Sequence, residues 1–230
     1  MRAFRYTSLL LFFLAACLAA QAGEPYFCTF GNRTLRYERY KYGTTKLVQT
    51  TTLEIGEIET EVDTRKVHYS MLLQEANGRN IFGGEAEQTT IIDPNGDVWM
   101  DFGATVSSVL KNMFPSFRIS HEGDAVAMPA DMKPGDILPD SHCVVTVGIF
   151  KITVDVTERT VLREEQITTP AGTFDCVVAH EHKVEKGPMH HVDVWSDTWY
   201  ARGIGYVRHD EYDRKMRLET TEILIQDLQR

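Results

Sequence analysis

Four histidines crowd one short stretch of the chain. His180, His182, His190 and His191 stand on either side of Gly187-Pro188. Two strands joined there by a two-residue turn would set Lys186 opposite Met189, Val184 opposite His191, His182 opposite Asp193 and His180 opposite Trp195. Residues two apart in a strand share a face, so His180, His182, His191 and Asp193 would point the same way. Three imidazoles and a carboxylate suit zinc, copper or iron, which makes these four a candidate metal site. A slip of one residue in register would break the set. The other reading of the same residues is a hairpin whose histidines face solvent.

Other chemistries find less to work with. Asp93-Pro94-Asn95-Gly96-Asp97 resembles the start of a calcium loop, but its Gly is fourth rather than sixth and position twelve is Ala104. Asn95-Gly96 reads better as a hairpin turn. Ser/His/Asp catalysis has no G-x-S-x-G elbow to build on, and Ser107, Ser108 and Ser116 fall in or just after a helical stretch with no histidine nearby in sequence. Cys176 and His180 are four apart in a strand, about 13 Å, too far for a nucleophile–base pair. No phosphate-binding glycine motif occurs, since Gly203-Ile204-Gly205 lacks a third glycine and a following helix. No catalytic residue and no cofactor is therefore expected, and the chain reads as a non-enzyme. Its formal charge of −9 repels phosphate backbones, so nucleic acid is not an expected partner.

The elements that would carry these residues are strands. Arg33–Tyr42, Lys46–Glu61 and Lys66–Glu75 alternate apolar and polar positions, and Gly56 suggests a bulge. Asn77-Gly78 and Asn95-Gly96 are hairpin signals, with Thr89–Ile92 and Val98–Phe102 beside them. Val106, Val109, Leu110 and Met113 recur at helical spacing, which predicts a helix over Ala104–Met113, ended by Pro115. Phe117–Ser120 and Ala125–Met128 read as short strands around Glu122-Gly123-Asp124. Cys143–Arg163 is two strands, or one strand bent at Glu158-Arg159. Pro170-Ala171-Gly172 is a turn, followed by strands over Phe174–Val184, His190–Tyr200, Tyr206–Tyr212 and Met216–Gln226. Ten or more strands with turn signals every 8 to 12 residues predict an all-β domain, an antiparallel curved sheet or incomplete barrel with one short helix. Residues 23–230 form one domain on this reading.

Residues 1–22 read as an export signal. Arg2 and Arg5 precede the apolar run Ser8–Ala16, and Ala20-Gln21-Ala22 fits a signal-peptidase site. The run is too short to span a bilayer. Leu14-Ala15-Ala16-Cys17 offers the alternative of a lipobox with Cys17 lipidated. The protein is exported either way, to the periplasm or as an outer-membrane lipoprotein, and membrane contact is expected only through such an anchor. In an oxidising compartment two of Cys28, Cys143 and Cys176 can pair. Cys28–Cys176 would tie the N-terminal segment to the central hairpin; no disulfide at all is the alternative.

Several motifs together resemble the TapB-like group of secreted proteins. They are Met128-Pro129 with Met132-Lys133-Pro134-Gly135-Asp136-Ile137-Leu138-Pro139-Asp140, the run Pro170-Ala171-Gly172-Thr173-Phe174-Asp175-Cys176, the run Trp199-Tyr200-Ala201-Arg202-Gly203-Ile204-Gly205-Tyr206-Val207-Arg208, and Tyr212-Asp213. The resemblance covers roughly residues 24 to 228. It implies an antiparallel fold wrapped on a short helix, similar to periplasmic lipoprotein carriers, and no known activity. The sequence then suggests an envelope protein whose concave face, lined by Trp99, Phe102, Trp195, Trp199 and Tyr206, holds a lipid or other apolar ligand beneath the helix. A metal-dependent role for the His hairpin and a structural interaction module are the alternatives.

Overall fold

The computed structural model describes residues 23–229, apart from Met189 and the side chain of His190. The export signal and Cys17 lie outside the described residues. Thirteen strands and one helix follow in order: β1 (Arg33–Lys41), β2 (Leu47–Glu61), β3 (Thr64–Glu75), β4 (Ala86–Ile92), β5 (Val98–Met100), α1 (Phe102–Met113), β6 (Ile119–Gly123), β7 (Val126–Met128), β8 (Ser141–Val147), β9 (Phe150–Thr169), β10 (Gly172–Gly187), β11 (His190–Ala201), β12 (Gly205–Tyr212) and β13 (Leu218–Gln229). They form one antiparallel sheet in the order β6-β8-β9-β10-β11-β12-β13-β1-β2-β3-β4-β5-β7. The fold is all-β, as the strand count predicts.

The sheet is open, yet its two edges meet. β6 and β7 are the edge strands, and only Asp124 and Ala125 separate them. Three virtual bonds of about 3.8 Å cannot span more than about 11 Å, so the sheet must curl until its edges lie side by side. Arg159, buried in β9, ties the seam. Its Nη1 donates to Ala127 O (3.3 Å) and Pro139 O (2.7 Å), and its Nε pairs with Glu181 at 3.4 Å. Leu138 N donates to Arg159 O at 2.8 Å. The expected turn at Glu122-Gly123-Asp124 is thus no hairpin: β6 pairs with β8 and β7 with β5.

The helix fills the gap between the two ends of the curl. Leu110 packs with Val145 and Val147 of β8, and Phe102 and Val106 pack on Cys143, Val154 and Val156. On the opposite side Thr105 Oγ1 donates to Gln88 Oε1 of β4 (2.8 Å) and Asn112 Nδ2 to Glu85 O (2.6 Å). The helix starts two residues before the periodicity places it. Asp101, expected within a strand, is its N-cap, accepting from Ala104 N at 2.8 Å.

Alternation decides the core. β4 and β8 bury every second residue, and β1 buries Leu35 and Tyr37. The main cluster joins these to Leu53, Ile55, Val67, Leu224 and the N-terminal Tyr26, Phe27 and Cys28. Cys143–Arg163 holds both arrangements considered from sequence: a turn at Gly148 (φ 60°) makes two strands, and β9 is itself bent at Glu158 (φ 54°).

Candidate functional site

The expected metal set does not converge. Gly187 pairs with His190, so His182 stands opposite Trp195 and His180 opposite Asp197, two residues along from the expected register. A shift of two keeps the face and changes the residue directly opposite each side chain. His180 Nδ1 hydrogen-bonds Asp197 Oδ1 (2.6 Å), and Tyr212 Oη donates to the other oxygen of that carboxylate (3.2 Å). His182 Nε2 hydrogen-bonds Asp193 Oδ1 (2.9 Å). The Trp195 ring stacks on both imidazoles, with centroids 5.2 Å from His180 and 4.1 Å from His182. His191, opposite Lys186, is exposed and four residues, about 13 Å of strand, from Trp195. No group of three or more His, Cys, Asp or Glu side chains able to hold a metal occurs among the described residues.

The five aromatic residues expected to line one cavity are also dispersed. Trp99 lies in β5, near one sheet edge, and its indole N–H reaches Asp93 at 3.4 Å. Phe102 is spent against β8 and β9. Trp195 stacks on histidines, as above. Trp199 is buried, donates to Glu165 Oε2 (3.0 Å), and lies against the guanidinium groups of Arg208 (4.5 Å) and Arg163 (5.6 Å). Tyr206 stacks on Tyr37 at 4.3 Å. Trp99 and Trp199 are therefore parts of separate packing units.

Two further expectations change, and the preference for a turn over a calcium loop at Asp93–Asp97 stands. The Cys28–Cys176 bridge is not formed: Cys28, Cys143 and Cys176 are free, buried thiols. Burial pushes the Cys143 thiol up to about 11 and the Cys176 thiol up to about 12, so neither is a poised nucleophile. Asp93 is no calcium ligand in the making, because its Oδ1 accepts from Asn95 N (2.8 Å) and Asp97 N (3.1 Å) of its own turn. A histidine does lie near the helix serines. His121 of β6 hydrogen-bonds Ser107 Oγ through Nδ1 (3.1 Å) and Asp101 Oδ2 through Nε2 (3.2 Å). The connectivity is that of a Ser-His-Asp relay, but the strand that carries the histidine comes from the far edge of the sheet, which spacing could not foretell. Ser107 is only 3% exposed and sits mid-helix, where backbone N–H groups are already bonded and none can serve an oxyanion. The relay fastens α1 to β6, and Gly103 lets it do so: a Cβ there would come within 2.9 Å of the His121 ring.

What the fold does bring together is a cleft of about 690 Å³. Its walls are Glu164, Glu165 and Gln166 of β9, Thr173 to Val177 of β10, Ala201 at the end of β11, Arg202 just after it, and Tyr26 of the N-terminal segment. The Pro170-Ala171-Gly172 turn reverses the chain so that Gln166 Nε2 donates to Asp175 Oδ1 (2.7 Å) across the hairpin. Gly203, at φ 69°, turns the chain back toward the N-terminal segment and donates its N–H to Pro25 O (2.8 Å). A Cβ at Gly203 would meet Glu24 Oε1 at 2.4 Å, so a side chain here would push Glu24 aside. Arg202 Nη1 donates to Glu24 O (2.7 Å) and its guanidinium lies 4.4 Å from the Tyr26 ring centroid.

Charge in the cleft is graded. The Trp199 N–H, followed by Arg163, holds the Glu165 carboxyl below its ordinary range. Burial raises the Tyr26 phenol and the Arg202 charge partly offsets it. Near neutral pH Glu165 is thus ionised while the Tyr26 phenol and the Cys176 thiol keep their protons, beside the apolar surfaces of Phe174, Val177 and Ala201. The hairpin and glycine motifs were visible in the sequence. Tyr26 was not, because nothing local signals that the N-terminal segment returns to Arg202.

Two solved structures share this fold. A candidate exported protein with a YmcC-like fold from Bacteroides fragilis superposes with a TM-score of 0.69 at 19% identity, covering 88% of this chain and 98% of its own. A candidate lipoprotein from Parabacteroides distasonis superposes with a TM-score of 0.72 at 17% identity, covering 90% and 100%. At such identities the likeness is one of fold. None of the curated proteins compared matches the chain. The TapB-like name rests on the motifs alone and is not confirmed by the family match, which covers residues 33–224. The chain belongs to the DUF3108-like family.

Proposed function

We propose that this is a non-catalytic exported protein of the cell envelope that acts by binding, and that the cleft beside the β9–β10 hairpin is where it binds. One observation carries the reading. Residues from two motifs far apart in sequence, Thr173 to Cys176 and Ala201-Arg202, meet Tyr26 around one concavity of about 690 Å³, within the range of small-ligand sites. The ligand that fits has an apolar part for Phe174, Val177 and Ala201. It also has a polar end to meet Arg202 or the carboxylates Glu164 and Asp175. An acyl chain with a polar head answers that description, and the cleft replaces the concave face as its place. Export is in keeping with the fold neighbours, which are described as exported proteins and lipoproteins.

The test is mass-spectrometric identification of what co-purifies with the full chain, repeated with Phe174→Glu. Phe174 is only half-buried, so the variant is expected to fold. A molecule recovered from the wild type and depleted about tenfold or more in the variant supports the cleft. Equal recovery from both, or recovery from neither, refutes it.

A further inference from the structure

A second surface has the composition of a contact site. At the end of the molecule where α1 terminates, the helix exit and the β8–β9 turn form one exposed apolar tip. Phe114 and Phe117 make an edge-to-face pair at 6.1 Å. Phe117 lies against Gly148, where a Cβ would meet its ring at 3.1 Å, and Gly148 N donates to Arg118 O at 3.0 Å. Ile149 and Phe150 complete the turn. Met113, Phe114, Phe117, Ile149 and Phe150 are 41–89% exposed, Ile149 most of all. Single exposed apolar residues are ordinary, but five that touch in sequence or space are not. Leu110, Val145 and Val147 beneath them form a buried cluster, so the tip stands on a packed base.

The charge around the tip is the reverse of the molecule's. The chain carries −9 overall, yet residues 103–121 and 143–154, which build the tip and its base, contain Lys111, Arg118 and Lys151 and no Asp or Glu. All three cations are exposed, and no carboxylate pairs with them among the described residues. At physiological ionic strength charges beyond about 8 Å are largely screened, so a docking surface here feels the three cations and one acid, Glu85, whose carbonyl accepts from Asn112 Nδ2, and not the more distant carboxylates.

We propose that this tip docks onto a membrane surface bearing anionic lipids, with Phe114, Phe117, Ile149 and Phe150 entering the interface and Lys111, Arg118 and Lys151 pairing with head groups. Aromatic and branched apolar side chains ringed by cations are what an interfacial anchor needs. The charge pattern selects this occupant over a neutral apolar partner. Membrane contact is then built into the fold, apart from any lipid on the N-terminal segment.

The experiment is flotation of the full chain with vesicles of phosphatidylcholine, with and without roughly one-third phosphatidylglycerol. Because the N-terminal apolar segment is common to all variants, the comparison isolates the tip. Near-surface cations contribute roughly fivefold each to partitioning, so Lys111→Glu/Lys151→Glu is expected to lower binding to the anionic vesicles by about 25-fold or more. Phe117→Ser/Ile149→Ser is expected to lower it by about tenfold. A Phe150→Trp variant reads the tip directly: its added emission should shift blue and be quenched by brominated acyl chains. An added emission that neither shifts nor is quenched overturns the proposal. So does sedimentation showing that the wild type self-associates through the tip, with the serine variant monomeric and vesicle binding unaltered.

Discussion

Removing the Arg159 side chain should loosen the seam of the sheet. Arg159 is 3% exposed and is the residue through which β9 holds Ala127 of the far edge strand and Pro139 of the crossing loop. Arg159→Ala strands a carboxylate, Glu181, whose side chain is only 17% exposed, and leaves two carbonyls without their donor. Breaking a buried pair on one side costs roughly 3–5 kcal/mol, a large share of the roughly 5–15 kcal/mol that holds a domain together. With a urea dependence of about 2 kcal/mol per molar, the unfolding midpoint should fall by about 2 M. Arg159→Met with Glu181→Gln removes both charges and should recover about half of that loss. Amide exchange should report the same event locally, with Val126–Met128 and the loop to Pro139 losing protection before β1 or β2. An Arg159→Ala midpoint within about 0.5 M of the wild type would refute the argument that this arginine clamps the curl, and so would a double variant no more stable than the single one.

Two further outcomes follow from buried groups. His209 is half-buried against Thr198, which it hydrogen-bonds at 2.8 Å, and the desolvation of its ring, with Arg39 and Lys183 nearby, lowers its pKa to about 3. The unfolded imidazole titrates near 6.5, so the unfolded state binds the proton first. Stability from this site is complete above about pH 6.5 and is lost as pH falls toward 3. Between pH 7.5 and 5.0 the loss should be about 2 kcal/mol in urea titrations, and His209→Gln should flatten the profile by that amount; parallel profiles would remove His209 as the cause. Thiol labelling of the full chain carrying Cys17→Ser checks the cysteines. The three buried thiols should resist reagent in the native state and all three should react on unfolding without reductant, whereas a Cys28–Cys176 bridge would leave Cys143 alone to react.

Much of the fold is written locally. Alternation in β4 and β8, the helical spacing of Val106, Val109, Leu110 and Met113, and the turns at Pro170-Ala171-Gly172 and Gly203 depend on neighbours a few residues away, so the chain itself dictates strand, helix or reversal there. Export motifs and the acidic balance are likewise properties of the linear chain. Partnership is another matter. Which strand β6 pairs with, where the hairpin after β10 turns, and which carboxylate each histidine finds are set by contacts between residues far apart. A two-residue shift at one turn keeps every side chain on its face while replacing the residue directly opposite it. That shift left His180 and His182 in two separate His–Asp pairs around Trp195, with His191 apart from both.

The sequence determined a chain of antiparallel strands with one helix, because periodicity and turn chemistry act over a few residues. Only the tertiary structure decided that the edges of the sheet meet at Asp124-Ala125, that Tyr26 closes a cleft against Arg202, and that the cations of an acidic chain gather beside one apolar tip. Those arrangements come from the curl of the whole sheet. Its closure sums the twist and register of thirteen strands, a quantity that no local stretch of residues contains.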